Sequence, residues 1–224
     1  MEESSINKIE NEDIEFELED VELEDVELKT DFNDLKYKII IQKKEFVFLR
    51  ISKNKYKLIT TISNKNIFIK NLVNFHIIQL LYEINKDFFD SIKLNINDNG
   101  DKAYLCIMLR NLFEKLGFKQ QCLSLHLTKS SPNDSTYIFF GKKDTETIKQ
   151  YMNLINKSDN FEIIPVDIFK ITIKLKDLHS LELTLDIELN ETTRQITYII
   201  EKAFAMGLKH VFLKTKKFIE NLKN

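Results

Sequence analysis

The chain has 224 residues, enough to bury a sizeable core. Hydrophobic residues make up 43%, with 17 Phe and no Trp, which excludes wholesale disorder; four Gly and two Pro leave the loops to Asn, Asp, Ser and Lys. The net charge of −2 conceals a division, because residues 1–34 hold 15 Asp and Glu against Lys8 and Lys29, and the remainder is basic.

Residues 1–34 carry an imperfect five-residue repeat, Glu17-Leu18-Glu19-Asp20-Val21 followed by Glu22-Leu23-Glu24-Asp25-Val26. Phe16, Leu18, Val21, Leu23, Val26 and Leu28 are spaced alternately by two and three, which neither a helix nor a strand gathers on one face. The reading is a disordered acidic arm whose apolar positions meet a protein partner. A solubilising tail without a partner is the alternative.

Residues 35–224 are expected to form the globular body, either as one unit or as two lobes, 35–157 and 158–224. Tyr37–Ile41, Glu45–Ile51 and Tyr56–Ile62 read as strands joined by short polar connections, hence an antiparallel meander. The pattern turns helical from about Ile69 to Ile84, and Ser91–Asn97 alternates as a strand does.

Asp98-Asn99-Gly100-Asp101 supplies turn formers and a carboxylate N-cap. Leu105, Leu109, Leu112 and Leu116 then fall at spacings of four and three, which predicts a buried helix from Ala103 to Leu116 with Gly117 as its C′ residue. Phe118–Leu127 alternates, with Cys122, Ser124 and His126 on one face and Leu123, Leu125 and Leu127 on the other. A turn is expected at 130–134, a strand at Thr136–Phe140 ending at Gly141, and a helix from Asp144 that turns Ile148, Tyr151, Met152 and Ile155 inward.

Phe161–Lys176 and Leu181–Leu189 read as a long hairpin with Pro165 marking a break near its start. A helix over Glu191–Met206 is expected to end at Gly207, followed by a strand at Lys209–Leu213 and a basic helix from Lys214. Leu116-Gly117-Phe118-Lys119 and Met206-Gly207-Leu208-Lys209 are thus two instances of helix, capping glycine and strand, through duplication or through the same capping solution used twice. The fold class is α+β, with antiparallel β meanders covered by helices.

Little in the chain points to chemistry. No glycine pair has phosphate-cradling spacing, and His76, His126, His179 and His210 fall in no metal-ligand pattern. Asn95, Asn97, Asn99 and Gly100 match the start of a calcium loop, but Cys106 occupies the twelfth position, where a bidentate carboxylate is needed. Cys106 and Cys122 form no Cys-x-x-Cys pair and read either as buried free thiols or as a helix-to-strand disulfide. No cofactor, metal or catalytic residue is expected.

Phe113-Glu114-Lys115-Leu116-Gly117-Phe118 resembles the helix-to-strand ending of GNAT-type acetyltransferases, which implies an acyltransferase-like enzyme as a third reading; the Gly-rich pyrophosphate loop of that family has no counterpart before Phe113. Tyr137–Phe140, Gly141-Lys142-Lys143 and the helix after Asp144 are similar to the strand–Gly-x-Lys–helix segment of TATA-box-binding protein repeats. That resemblance implies a saddle of two β-rich halves, although the second half offers no matching segment.

Function is read from charge. Residues 35–75 place ten Lys and Arg against Glu45 alone. Lys36, Lys38, Lys43, Lys44, Arg50, Lys53, Lys55 and Lys57 would contact nucleic acid or another polyanion, with Tyr37, Phe46, Phe48 or Tyr56 stacking on exposed bases. The rival readings are a lysine-coated solvated face and an assembly protein that uses its acidic arm. An acidic N-terminus and the lack of an apolar run near about 18 residues lead to the expectation of no membrane association and an intracellular site, cytoplasmic or nuclear.

Overall fold

A computed structural model describes residues 37–111, 119–144, 161–190 and 198–223. Three strands open it: β1 (Lys38–Lys43), β2 (Phe46–Ser52) and β3 (Lys55–Ser63). A 3-10 turn (Ile69–Leu72) and helix α1 (His76–Ile84) follow. Next come β4 (Phe89–Ile96), β5 (Lys102–Leu109), β6 (Gln120–Asn133), β7 (Thr136–Lys143), β8 (Phe161–Ile163), β9 (Val166–Leu175) and β10 (Ser180–Leu189). The 23-residue helix α2 (Tyr198–Glu220) is last.

All ten strands join one sheet in the order β1-β2-β3-β10-β9-β7-β6-β5-β4, antiparallel throughout except where β8 runs parallel to the start of β6. The α+β class therefore holds for the described residues. Strands from both proposed lobes are interleaved, since β10 pairs with β3 on one side and with β9 on the other. No helix among the described residues is long and apolar enough to cross a membrane. The N-terminal arm, with Phe16, Leu18, Val21, Leu23, Val26 and Leu28, lies outside the described residues, as do Lys36, Gly117 and the helix expected after Asp144.

The alternating patterns translate directly into registers. In β10, Leu181, Leu185, Ile187 and Leu189 are buried, each at 7% exposure or less, because one face of the strand packs against helix. Pro165 falls between β8 and β9, where its missing N–H interrupts no ladder.

Two expectations fail. Ala103–Leu109 is not helical but forms β5, the partner of β4 and β6. Every residue from Ala103 to Met108 is buried, because both faces of this strand are covered. A strand buried on both faces presents an unbroken apolar run, and leucines four apart satisfy periods of 3.6 and 2 alike. Asp98-Asn99-Gly100-Asp101 is consequently a hairpin turn and not a helix cap. Gly100 has φ 68°, and Asn97 Oδ1 accepts from the N–H groups of Asp101 and Lys102 at 3.2 and 2.9 Å.

The second failure is at Gly207, which lies inside α2, so the strand at Lys209–Leu213 and the helix–glycine–strand echo are both absent. This glycine serves a close approach. A Cβ there would come within 2.6 Å of Phe88 Cζ, whose ring also stacks on His210. At the far end of α2, Lys216 Nζ reaches the Thr61 carbonyl at 2.7 Å and Glu45 at 2.9 Å, and it also pairs with Glu220. Asn85 ties α1 to α2 by donating to Thr215 Oγ1 at 3.0 Å.

Candidate functional site

Helix α2 lies on the inner face of the sheet and takes part in two cores. One gathers Leu105, Leu125, Leu127, Phe139, Ile173 and Leu181 with Val211 and Ile219; the other gathers Phe46, Phe48, Leu58, Leu185 and Ile187 with Ala205. Five residues touch both cores: Leu123 on β6, Phe169 and Ile171 on β9, Leu183 on β10 and Phe212 on α2. They occupy the middle of the interior, where burial should be most complete. All five are only partly buried.

Leu183 makes the contrast sharply. It stands between Leu181 at 5% exposure and Leu185 at 2%, on the same face of the same strand. Ile171 pairs with Leu185 and with buried Phe139, yet is itself only partly covered. The β7 position beside Phe169 is Gly141, so that strand adds no side chain there; Leu125, Leu127 and Phe169 close in to 3.0–3.2 Å of where a Cβ would stand. A strip of apolar surface thus remains accessible between two well-packed cores.

Glu201 is a buried charged group on α2, 2% exposed and one turn before Phe204 and Ala205. A buried carboxylate must be paired. Arg50 Nη1 lies 3.1 Å from Glu201 Oε1. Burial, reinforced by the Glu201 charge, pushes the Tyr56 hydroxyl up to about 12, so it remains a protonated donor at neutral pH. The rings of Phe48, Tyr56 and Phe204 wall this group, with centroids 5.7–6.1 Å apart. Arg50 is 35% exposed along its side chain, so its guanidinium retains contact with solvent.

The opposite face of β5 and β6 holds a second polar group. Tyr104 is paired with His126, Cys106 with Ser124 and Met108 with Cys122. The Tyr104 hydroxyl is 3.1 Å from Ser124 Oγ, the thiols of Cys106 and Cys122 are 3.6 Å apart and unbonded, and His126 Nε2 lies 2.8 Å from Asp144 Oδ2. Burial raises the Tyr104 hydroxyl far above its ordinary value. Phe161 and Ile163 pack over this patch. Ser124 is engaged with Tyr104 and His126 with Asp144, and among the described residues no hydrogen bond joins Ser124 to His126. His126 is 62% exposed at its side chain.

The residues singled out for polyanion binding are differently placed. Lys38, Lys43, Lys44 and Lys53 are exposed on the β1–β3 meander, but Lys55 pairs with Glu188 at 3.0 Å, Lys57 with Asp186 at 3.2 Å, and Arg50 with Glu201. β10 supplies Asp186 and Glu188 by lying against β3, and α2 supplies Glu201, which no local charge count reveals. Phe46, Phe48 and Tyr56 are at most 2% exposed and cannot stack on bases. Sequence reasoning had no access to the central strip, because Leu183 alternates in step with Leu185. The one available signal was Glu201, an acidic residue at core spacing from Ala205 and Leu208.

No family model matches the chain, and no curated protein matches it by sequence. Solved structures do match. Human StAR-related lipid transfer protein 5 aligns with a TM-score of 0.59 at 8% identity, over 82% of this chain and 86% of that one. Human STARD10 aligns with a TM-score of 0.58 at 8% identity, over 82% and 72%. A STAR-related lipid transfer protein from Xanthomonas axonopodis aligns with a TM-score of 0.55 at 7% identity, over 82% and 98%. At these identities the likeness is one of fold, and that fold is the one seen in lipid-transfer domains. Together with the buried aromatics and the paired charges, it overturns the reading of a basic face for nucleic acid.

Proposed function

We propose that the chain is a non-catalytic carrier that holds one apolar or amphipathic small molecule, of the lipid class, between the inner face of its sheet and α2. The observation that carries this reading is the strip of five partly buried apolar residues, Leu123, Phe169, Ile171, Leu183 and Phe212, at the centre of the interior. Accessible apolar surface enclosed by a sheet and a helix is the usual form of a small-molecule site, and covering it would stabilise a complex by about 25 cal/mol per Å². The fold likeness to lipid-transfer structures supports the same reading.

Arg50 gives the site a polar end. Its guanidinium has five N–H donors, of which the contact with Glu201 engages part, so a ligand carboxylate, phosphate or hydroxyl can be accepted there without stranding a buried charge. An amphipathic ligand fits this arrangement better than a hydrocarbon.

The experiment is organic extraction of the purified full chain, followed by mass spectrometry of the extract. A stoichiometric apolar species that is lost from Ile171→Trp supports the reading. An empty extract, together with no uptake from a mixed lipid panel, refutes it.

A further inference from the structure

Among the described residues, three large apolar side chains stand exposed: Phe68 at 59%, Leu178 at 64% and Phe218 at 41%. They are distant in sequence but share one end of the molecule. The Ile69 N–H donates to the Leu178 carbonyl at 3.0 Å, the Phe68 ring stacks on His179 at 5.7 Å, and His179 Nδ1 lies 2.8 Å from the Ile67 carbonyl oxygen. Asn64 Nδ2 donates to the carbonyls of Ile219 at 2.6 Å and Leu222 at 2.9 Å, which brings the last turn of α2, and Phe218 with it, to the same loop. Exposed apolar residues scattered singly need no explanation, but three elements converging to present them at one end do.

The charge around them is mostly basic. Lys65, Lys70, Lys217 and Lys223 are exposed on the same loop and helix end, and none makes an ion pair among the described residues. The neighbouring acids are already engaged. Asp177 accepts from the His179 N–H and from Ser180 Oγ, Glu182 pairs with Lys176, and Glu220 pairs with Lys216.

We propose that this end docks on an anionic lipid bilayer, with Phe68 and Leu178 entering the headgroup–acyl boundary and the four lysines meeting anionic headgroups. Apolar side chains ringed by free cations suit such a surface, where hydrophobic insertion and electrostatic attraction act together. A stable protein interface would need a contiguous face of about 800 Å² per partner. Side chains on two loops and a helix end fit a fluid surface better. The docking end lies outside the central strip, so it stands or falls independently of what the interior binds.

The test is flotation of the full chain with phosphatidylcholine vesicles, with and without phosphatidylserine. Association is expected only with the phosphatidylserine vesicles, falling as salt rises. Lys65→Gln and Lys70→Gln should each weaken it about five-fold, the fold-change that corresponds to about 1 kcal/mol per basic residue. Phe68→Asp with Leu178→Asp should reduce it at least ten-fold with unchanged melting, since neither side chain is in a core. Absence of association with either vesicle overturns the proposal, as does undiminished association of the double variant. A dimer in solution that the double variant dissolves would assign the surface to protein contact and overturn it as well.

Discussion

The packed cores and the strip between them are built from the same residue types on the same strands, and they differ only in what lies opposite. Leu181 and Leu185 meet helix or sheet side chains on every side, whereas Leu183, midway between them, does not. Composition therefore does not make the strip; what packs opposite each side chain does. The accessible interior is a property of the shape, and it can be probed by adding or removing volume at neighbouring positions.

The largest expected effect is in the cores. Leu185→Ala should cost about 2–5 kcal/mol, read as a lower melting temperature, because the site is closed on all sides. Leu183→Ala should cost less than about 1.5 kcal/mol, since part of that side chain already faces open space. Equal losses at the two positions would erase the distinction between core and strip.

Removing Arg50 should come next. Arg50→Met leaves Glu201 buried without its cation, and about 1–3 kcal/mol should be lost in denaturant unfolding. That is less than for a fully buried pair, because solvent reaches the arginine. Arg50→Lys should recover only part of it.

Added volume should separate the two regions more cleanly. Leu185→Phe overfills a core and should cost about 1–3 kcal/mol. Ile171→Phe extends into the strip and should leave stability within about 0.5 kcal/mol of the parent while lowering ligand affinity.

The smallest effect is at the helix end. Burial alone would lower the Lys216 ammonium's pKa, but Glu220 and Glu45 outweigh it and hold the group above its ordinary value; Lys216 in turn holds the Glu45 carboxyl below its own. A depressed carboxyl contributes stability above its unfolded value, about 4.5, and loses it as pH falls through the folded value. The raised ammonium contributes below about 10.5 and loses it only as pH rises past its folded value. The cluster should therefore be flat across neutral pH. Lys216→Met should flatten the acid limb of the stability profile below pH 4.5, by less than about 1 kcal/mol given the exposure of Glu45.

Much of the sheet was legible in the sequence, and the interior was not. Alternation placed β1–β3, β9 and β10, because each of those strands has one covered face. It misread β5, where Tyr104, Cys106 and Met108 are buried behind the sheet while Leu105 and Ile107 are buried in front. It also divided α2 at Gly207, where a missing Cβ makes room for the Phe88 ring and no cap is needed. The lysines of β3 looked free until β10, more than a hundred residues later, brought Asp186 and Glu188 beside them. The strip itself depends on which side chains of α2 and of strands distant in sequence pack opposite it, which no window along the chain reports.

The most direct test of the central claim is titration of the full chain with a fluorescent fatty acid, before and after Leu183→Trp with Ile171→Trp. The account predicts saturable one-to-one binding in the parent, weakened at least ten-fold in the double variant, with melting temperature preserved because the indoles fill space that was open. Unchanged binding in a folded double variant, or a double variant destabilised as a packed core would be, would contradict it.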